Sequence, residues 1–429
     1  MPASAASVSQ RKTMRYSEVF VPGGFPRHTY NPRTNRNLES RISEVADNLC
    51  KLSTVTGHTK SGKTVLVRNA YPPEESIWID GGTVGDEEDF WSGIIDQLEL
   101  FQSIEEGSST ERSSEIGAEG TAEANFLLVK GSGALTGKLG DAHGTVKLGT
   151  RSVSSRVTAL AGLRNANLPV IIDDFHYIPR ELQGSLVRAL KGPIFDGLPV
   201  VLIAIPHRRY DALKVEKEMT GRLHPIEIPL WESDELAYIP SAGFPLLNCE
   251  ISGDAIASFT DEAIGSPHLM QDFCRTLCRQ EEIKTDHDGK RLSPTKLKLA
   301  EVYKEVAETI GRPIFEKLAR GPRQRTDRIP RILKDGSEVD IYGLVLHALA
   351  HIRPGLVTIE YEELRAAIRE VAREAPQLHE VARVLRHMAS IAASDESSTP
   401  VIDFEEEEKI LHITDPFFAF YLRWGNLKG

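Results

Sequence analysis

A glycine-rich segment with two lysines lies between two strand-like or apolar runs near the start of the chain. Residues 57–64 read Gly-His-Thr-Lys-Ser-Gly-Lys-Thr, after the run 52–56 and before the run 65–67. The spacing G-x-x-x-x-G-K-T is typical of a phosphate-binding loop, whose backbone N–H groups turn inward at the start of a helix. We therefore predict a strand, an anion-binding loop and a helix in succession here.

The side chains of this loop have distinct predicted roles. Lys63 would reach the β- and γ-phosphates and act in catalysis, and the Thr64 hydroxyl would bind Mg²⁺. The alternative is a Gly-rich surface turn, and the flanking strand and helix patterns argue against it. The predicted nucleotide-binding residues of the loop are Gly57, His58, Thr59, Lys60, Ser61, Gly62, Lys63, Thr64 and Val65.

Length and composition limit the class of protein. The 429 residues are too many for one ordinary core, so we expect two or three domains. The hydrophobic content of 40% and the charged content of 26% are typical of a soluble globular protein. The sequence has no apolar run long enough to span a membrane and no apolar stretch of a secretory signal. We therefore predict a cytoplasmic protein without a membrane partner.

The four cysteines favour buried thiols over a metal site. Only Cys274 and Cys278 are close in sequence, and their spacing places them on one face of a helix. Cys50 and Cys249 stand alone, and no further ligand lies at zinc-binding spacing. This pattern suits a reducing cytoplasm.

Strand and helix patterns alternate over residues 38–232. Such alternation predicts a parallel sheet between helices, the α/β class. Predicted strands occupy 52–56, 76–80, 168–173, 199–205 and 226–230, and predicted helices occupy 38–49, 63–69, 87–101, 157–163 and 180–191. The segment 102–155 is rich in Gly, Ser, Thr, Glu and Ala, and we interpret it as an insertion, either a mobile lid or a β-hairpin arm.

Helical patterns dominate after residue 232. The region 233–280 is mostly helical, 281–294 is predicted to be a polar linker, and a helix over 296–318 follows. Helices over 341–351, 361–373 and 378–393 then precede strands over 401–404 and 409–413, the order of a winged helix-turn-helix. The predicted domains are an N-terminal arm (1–37), a P-loop α/β core (38–232), an α-helical lid (233–290) and a C-terminal winged helix (295–429).

Two acidic residues end the predicted strand 168–173. Asp173 lies where a Mg²⁺ shell needs a carboxylate, and Asp174 follows where a catalytic general base or water-orienting acid belongs. One carboxylate together with Thr64 suffices for Mg²⁺, which retains several waters. The alternative is an acidic pair in a solvated turn.

Basic residues follow the next two strands. His207 and Arg208 end the strand 199–205, where the Arg208 cation could sense the γ-phosphate, although either side chain could instead be an ordinary surface residue. Arg222 precedes the last strand and is either an arginine finger for a neighbouring subunit's nucleotide or a surface arginine.

Two further segments have a functional and a structural interpretation. Gly265, Ser266 and Pro267 open a helix whose N-terminus could lie over the nucleotide, or they form a simple helix-breaking turn. The basic run Arg312, Lys317, Arg320, Arg323, Arg325, Arg328, Arg331 and Lys334 could contact DNA phosphates, or it could be a solvated face. The net charge of −11 excludes a surface wholly coated for nucleic acid but permits this local patch.

Together these segments resemble P-loop ATPases of the AAA+/STAND kind, particularly the prokaryotic group that joins an origin-recognition-like ATPase module to a winged helix. The resemblance is carried by residues 57–64, 170–175, 205–208, 265–267 and 413–418. It implies that ATP or ADP with Mg²⁺ is held between the α/β module and the helical lid, and that the two nucleotide states differ in shape.

The resemblance also implies where the adenine lies. Tyr30 and Arg33 occupy the segment that contacts adenine in this group, with Pro32 in place of the usual Gly before the arginine. Many relatives carry Glu at the position of Asp174, and the shorter aspartate predicts slow hydrolysis.

Two hypotheses of function remain at this stage. The first is a slow, partner-stimulated ATPase switch that assembles with nucleotide and engages DNA through the winged helix. The second is a non-catalytic, nucleotide-dependent scaffold whose winged helix contacts an unknown protein partner or effector. The group includes initiator, transposition and immune-signalling ATPases, and the sequence does not choose among them.

Overall fold

In a computed structural model, the described residues are 13–47, 50–100, 154–205, 217–322, 329–393 and 400–427. The chain divides into two compact units. The first comprises Met1–Glu39, Gly57–Leu66 and Glu227–Gly429, and the second comprises Ser40–Thr56 and Val67–Ile226. Nearly all of the predicted insertion 102–155 lies outside the described residues.

Helices and short strands alternate along the described chain. The helices are α1 (Tyr16–Val19), α2 (Leu38–Ser43), α3 (Lys63–Ala70), α4 (Glu87–Gln97), α5 (Ser155–Ala166), α6 (Arg180–Phe195), α7 (Ser233–Leu246), α8 (Gly253–Glu262), α9 (Pro267–Gln280), α10 (Lys296–Ile310), α11 (Arg312–Arg320), α12 (Ile341–Ile352), α13 (Tyr361–Val371), α14 (Leu378–Ala393) and α15 (Pro416–Trp424). The strands of the largest sheet are β1 (Leu52–Gly57), β2 (Ile77–Asp80), β3 (Val170–Asp173), β4 (Val200–Ala204) and β5 (Leu223–Ile228).

The largest sheet has the strand order β2-β3-β4-β1-β5. Strands β1 to β4 pair in parallel, with Leu52 opposite Val200 and Ile172 opposite Leu202. Strands β3 and β4 are continuous runs of β-branched and apolar residues because both of their faces are buried. The order therefore brings the carboxyl ends of β1, β3 and β4 to one edge of the sheet, where parallel sheets place their ligand sites.

Helices cover the sheet of the second unit with apolar side chains. Asp86 caps the start of helix α4 by accepting from the Asp89 N–H, and the helix buries Phe90, Trp91 and Ile94. The core of this unit also contains Leu163 of α5 and Leu186 and Leu190 of α6. Each such side chain removed from water contributes about 1.5–3 kcal/mol, so the α/β arrangement follows from the predicted apolar pattern.

The first unit has one continuous aromatic core. Phe273 of α9 packs against Phe420 of α15, with ring centroids 5.1 Å apart. Tyr303 of α10 packs against Trp424, also of α15, with ring centroids 4.8 Å apart. The predicted lid and the predicted winged-helix region therefore share a core within this unit.

The predicted polar linker 281–294 is an ordered part of the first unit. Ile283 and Leu292 are buried in its core, and strand β7 (Arg291–Leu292) pairs in parallel with β6 (Glu250–Ile251). The predicted helix 296–318 is also interrupted. Gly311 separates α10 from α11, and it must be glycine because a Cβ at this position would lie only 2.4 Å from the Cβ of Tyr421.

The C-terminal elements have the order that the sequence predicts. Helices α12, α13 and α14 precede the antiparallel hairpin of β11 (Ile402–Glu405) and β12 (Ile410–Ile413). The short strand β10 (Thr358–Glu360), which the sequence patterns did not indicate, pairs with β12 to complete a three-stranded sheet. A further small sheet pairs β8 (Arg331–Ile332) with β9 (Glu338–Val339).

Three of the four cysteines are buried thiols, as the sequence predicts, and Cys50 is not. Cys249, Cys274 and Cys278 are buried and Cys50 is exposed, and all four are free thiols. Burial raises the pKa of the Cys274 and Cys278 thiols. Within the described ranges, no helix is long and apolar enough to cross a membrane.

Candidate functional site

Residues 57–62 form a tight loop, the phosphate loop, that leads into α3. Lys60 and Gly62 have left-handed backbone conformations, with φ of +60° and +89°. The Ser61 N–H donates to the His58 carbonyl over 3.3 Å, and the Leu66 N–H donates to the Gly62 carbonyl over 3.0 Å. This turn presents the start of a helix, which favours an anion.

Gly57 allows the loop to close on itself. A Cβ at this position would lie 2.8 Å from the Ile228 carbonyl oxygen and 3.0 Å from the Ser61 hydroxyl oxygen. Such distances are too short for a side chain, so the position requires glycine. The first glycine of the predicted motif is therefore explained by packing.

Lys63 lies at the first turn of α3 with its ammonium group turned back into the loop. Its Nζ donates to the carbonyl oxygens of Gly57 and His58 over 2.8 and 2.9 Å, and the side chain is buried. Burial, and then the Lys63 charge, lower the pKa of His58, while Glu227 opposes the shift. The loop thus contains a buried cation beside a histidine whose neutral form is favoured.

The loop fits a phosphate group. It combines the Lys63 cation with the buried Ser61 hydroxyl, which has no hydrogen-bond partner among the described residues. Hydroxyl and ammonium donors beside a helix start are groups that bind phosphate oxygens. Thr64 is exposed on the same turn, and its hydroxyl is an oxygen ligand of the type that Mg²⁺ accepts.

Asp173 and Asp174 end β3 in a sharp turn of the second unit. The Asp173 carboxylate accepts from the Asp174 N–H over 2.9 Å, and Asp174 has a left-handed φ of +49° before a short 3₁₀ turn, Phe175–Tyr177. A Cβ at Gly81 would lie 2.5 Å from the Asp174 carbonyl oxygen, so Gly81 permits this close approach. The predicted metal and catalytic carboxylates therefore lie at the sheet edge that binds ligands in parallel folds.

Asp80 is a neighbour of this acidic pair that the sequence patterns did not single out. It is the last residue of β2 and stands opposite Asp173 in the parallel register. Its carboxylate accepts from the Gly82 N–H over 2.8 Å and caps the next turn. A third strand-end acid was present in the sequence, but only the strand order reveals that it flanks Asp173.

Arg33 is buried in a network of the first unit. Its guanidinium donates to the carbonyl oxygens of Pro229 and Leu230, each over 3.1 Å, and to the Glu235 carboxylate over 2.7 Å. Burial alone would raise the pKa of Glu235, but the hydrogen bonds from Arg33, the Glu232 N–H and Arg36 lower it. Tyr30 stacks on Phe25, with ring centroids 6.4 Å apart.

Trp231 connects this network to the phosphate loop. Its indole Nε1–H donates to the Ser61 carbonyl over 2.9 Å, and the Arg33 guanidinium carbon lies 5.0 Å from its ring centroid. Its backbone N–H donates to the Gly265 carbonyl over 3.3 Å. Sequence reasoning missed Trp231, for which the only local signal was an aromatic residue directly after the last strand.

The predicted turn at 265–267 begins α9. Gly265 has φ of +67°, the Ser266 hydroxyl accepts from the Leu269 N–H, and Pro267 occupies the first turn of the helix. A Cβ at Gly265 would lie 3.2 Å from the Leu230 Cβ. The turn therefore packs on the same segment, Leu230 and Trp231, that contacts the phosphate loop.

Lys60 and α15 meet on another part of the loop. The Lys60 ammonium lies 5.5 Å from the centroid of the Phe417 ring, and the His268 ring meets Phe417 edge-on at 4.9 Å. Burial, and then the Lys60 charge, lower the pKa of His268 to about 4. Asp415 caps α15 by accepting from the Phe418 N–H, and burial raises the pKa of its carboxyl.

Of the basic residues predicted near the later strands, the structure describes only Arg222. Arg222 ends a 3₁₀ turn of the second unit and lies over Phe195, with 5.3 Å between the guanidinium carbon and the ring centroid. Phe195 is 60% exposed, so this pair lies at the surface of the unit. His207 and Arg208 lie outside the described residues.

Several described members of the basic run are paired with acids. Arg312 contacts Glu308 and Glu316, Arg331 contacts Glu380 over 2.9 Å, and Lys334 contacts Glu370 over 3.7 Å. Arg323, Arg325 and Arg328 lie outside the described residues. Three described members of the run, Arg312, Arg331 and Lys334, thus take part in ion pairs with glutamates.

Comparison with known proteins bears on the fold. No protein-family model and no curated protein matches the sequence. Among solved structures, the Walker-type ATPase paby2304 of Pyrococcus abyssi is similar, at 15% identity, with 96% of this chain and 99% of that chain covered and a TM-score of 0.50.

Two more distant structures have comparable coverage. The ORC2 protein of Aeropyrum pernix in its ADP form is 13% identical, with 93% of each chain covered and a TM-score of 0.47. Cdc6p from Pyrobaculum aerophilum is 12% identical, with 96% of this chain and 98% of that chain covered and a TM-score of 0.42.

Structural similarity at such low sequence identity shows that two proteins share a fold, but it does not show that they share an activity. The alignment with the first of these structures extends over nearly the whole of this chain, including its five-stranded sheet. The predicted resemblance to P-loop ATPases is therefore confirmed at the level of the fold, and this chain has the fold of a Walker-type ATPase.

Proposed function

We propose that this protein is an ATP-binding, slowly hydrolysing molecular switch. Its nucleotide state controls assembly and the engagement of DNA or a protein partner through the C-terminal helices and hairpin. In this proposal residues 57–65 bind the phosphates of ATP or ADP, and Tyr30, Arg33 and Pro267 belong to the nucleotide-binding surroundings.

One observation carries the proposal. The phosphate loop belongs to the same compact unit as the C-terminal region, and its Lys60 contacts Phe417 of α15 directly. A loop that only supplied a metabolic site would not need to touch a distant C-terminal helix. This contact gives a bound phosphate a physical route to the predicted winged helix.

The catalytic residues have separate tasks in this proposal. Lys63 exchanges its present bonds to loop carbonyls for bonds to the β- and γ-phosphates, where its charge stabilises the transition state. Thr64 and Asp173 would hold Mg²⁺, which would neutralise phosphate charge when bound. Asp174 orients or deprotonates the attacking water, and its short side chain makes hydrolysis slow.

Arg208 and Arg222 complete the proposed machinery. Arg208 senses the γ-phosphate, and Arg222 reaches the nucleotide of a neighbouring copy in a nucleotide-dependent homo-oligomer. The support for Arg222 is its position over Phe195 at the unit surface, where a second copy can reach it. Turnover per molecule should then rise with protein concentration, and Arg222→Ala should remove that rise.

A second function is favoured by the ion pairs of the basic run. Because Arg312, Arg331 and Lys334 face glutamates, part of the charge that would attract DNA is already neutralised. This pairing favours a non-catalytic, nucleotide-dependent scaffold whose C-terminal region contacts a protein effector. The two functions differ in whether ATP is turned over and in whether DNA changes the rate.

The test measures ATP turnover with and without double-stranded DNA, at low and high salt. The switch predicts slow turnover that DNA stimulates at low salt and that Asp174→Asn abolishes, since the amide cannot accept a proton. Asp196→Asn, at an exposed aspartate of the same unit, is the matched control and should retain turnover. Absence of turnover in the wild type, together with nucleotide-dependent oligomers, would establish the scaffold instead.

A further inference from the structure

The indole of Trp231 is bonded to the backbone of the phosphate loop. Its Nε1–H donates to the Ser61 carbonyl over 2.9 Å, across a sequence separation of 170 residues. The same residue is anchored through its backbone N–H to the Gly265 carbonyl, at the turn that begins α9. Trp231 therefore joins the phosphate loop to the predicted lid.

The ring of Trp231 is held in place by a cation that is itself anchored by hydrogen bonds. The Arg33 guanidinium lies 5.0 Å from the ring centroid and is itself fixed by the Pro229 and Leu230 carbonyls and the Glu235 carboxylate. Such a cation–π contact stabilises one ring orientation when the cation cannot move. The indole N–H is thus aimed at the loop by a rigid support.

The bond to Ser61 fixes the direction of one peptide group. In a planar trans peptide the carbonyl oxygen and the N–H of the next residue point in opposite directions. Since Trp231 holds the Ser61 oxygen, the Gly62 N–H must point away from Trp231. Gly62 has φ of +89°, and glycine populates both signs of φ, so without the bond this peptide could rotate at little cost.

We propose that Trp231 is a positioning residue of the phosphate loop, which holds the Ser61 carbonyl so that the Gly62 N–H stays turned toward a bound phosphate. The inference rests on the proposed nucleotide binding and adds a residue to it. Trp231 acts through the backbone and need not touch the nucleotide.

The test replaces the N–H donor and keeps an aromatic ring. Trp231→Phe removes the bond to Ser61, and we expect the affinity for Mg·ADP, measured by calorimetry, to fall by about fivefold to tenfold, as for one lost hydrogen bond. The melting temperature without nucleotide should change no more than in the control variant, because a merely structural role would lower stability without a specific loss of affinity.

Trp424→Phe is a closely matched control in the same unit. The Trp424 indole N–H also donates a hydrogen bond, to the Glu262 carboxylate over 2.8 Å. The guanidinium carbon of Arg353 lies 5.5 Å from the centroid of the Trp424 ring. The chemical change is therefore the same, but the lost bond does not end on the phosphate loop. This variant should bind Mg·ADP as the wild type does.

A measurement on the wild type keeps the test independent of the variant's folding. The chain has four tryptophans, and the indole N–H resonance of Trp231 can be assigned by Phe variants of the other three. We expect this resonance to shift on addition of Mg·ADP. An unshifted resonance, or equal affinities in Trp231→Phe and the wild type, would overturn the inference alone; a wild type that binds no Mg·ADP would overturn the proposed function as well.

Discussion

Two sets of side chains support the phosphate loop within the first unit. They differ in whether their buried groups are held in the charged form or the neutral form. The first set, Arg33, Glu235 and Trp231, is a buried ion pair with a bonded indole. Arg33 and Glu235 are 4% and 3% exposed, and both have several hydrogen-bond partners. A buried pair of this kind is costly to separate, because each charge would be left without its partner.

The second set consists of Lys60, Phe417, His268, Asp272 and Asp415. Here burial acts against the charged forms: it lowers the pKa of His268 to about 4 and raises the pKa of Asp272 to about 7. His268 Nε2 lies 3.4 Å from the Asp272 carboxylate. With these pKa values both groups are mostly neutral between about pH 4 and about pH 7.

The contrast indicates which support can respond to a nucleotide. An arriving phosphate would attract the Lys60 ammonium and would favour the protonated form of His268, since negative charge stabilises a nearby cation. The Arg33 set has no comparable freedom because its charges are already satisfied. We infer that the first set, the fixed support, holds the phosphate loop in place. The second set, the responsive support, transmits the state of the loop to α15.

The largest expected effect is on the fixed support. Glu235→Ala leaves the Arg33 charge buried without its carboxylate, and we expect a loss of about 3–5 kcal/mol in the free energy of unfolding. Glu232→Ala is the matched control and should lose far less, since this neighbouring glutamate is exposed and its ion pair with Arg36 is screened by solvent. Urea unfolding measures both. Equal losses in the two variants would remove the contrast between the supports.

The second prediction concerns the pH dependence of the responsive support. The folded-state pKa of Asp272 is raised to about 7 by burial, which Arg275 opposes, so the stability it contributes is complete below its ordinary pKa and is lost as pH rises through 7. The lowered pKa of His268 acts with the opposite sign and loses stability as pH falls from 6.5 toward 4. The two effects offset each other in acid, and above pH 6.5 Asp272 acts alone.

The measurement is the melting temperature at pH 6 and pH 8. We expect the wild type to lose about 2–4 °C more between these values than Asp272→Asn, whose amide does not titrate. Asp261→Asn, at an exposed aspartate of α8, should behave as the wild type does. If Asp272→Asn kept the full wild-type pH dependence, the cluster would not hold a proton in the way described.

The smallest expected effect is on the contact between Lys60 and α15. Phe417→Leu keeps an apolar side chain but removes the ring that faces Lys60 and His268, and we expect a loss of about 1 kcal/mol in the free energy of unfolding. Mg·ADP affinity should change little, since the ring is not in the phosphate site. A tenfold loss of affinity would instead place Phe417 in the fixed support.

Local patterns predicted the parts of the site that are continuous in sequence. The strand, loop and helix around residues 57–64 and the acids at the end of β3 follow from short-range glycine spacing and apolar runs. The packing of Gly57 and the bonds of Lys63 then explain why these residue types occur there. This much of the fold and the site could be predicted because each element is specified by its own residues.

The remainder depends on contacts between distant residues, which sequence periodicity does not report. Arg33 meets Glu235 across 202 residues, and no local signal distinguishes this pair from the many other charged residues. The same holds for Trp231 and for the close approach of Tyr421 to Gly311. The segment 281–294 resembled a linker because its two buried side chains, Ile283 and Leu292, are too sparse to show a period.

The central claim is that the phosphate loop is the input of a switch whose first responding element is α15. Hydrogen exchange of the backbone over Pro416–Trp424, with and without Mg·ADP and Mg·ATP, tests it most directly. We predict that both nucleotides slow exchange in this helix, to different extents, and that Lys63→Ala, which should not bind nucleotide, shows no change. A wild type that binds nucleotide while exchange over Pro416–Trp424 stays the same would contradict the account.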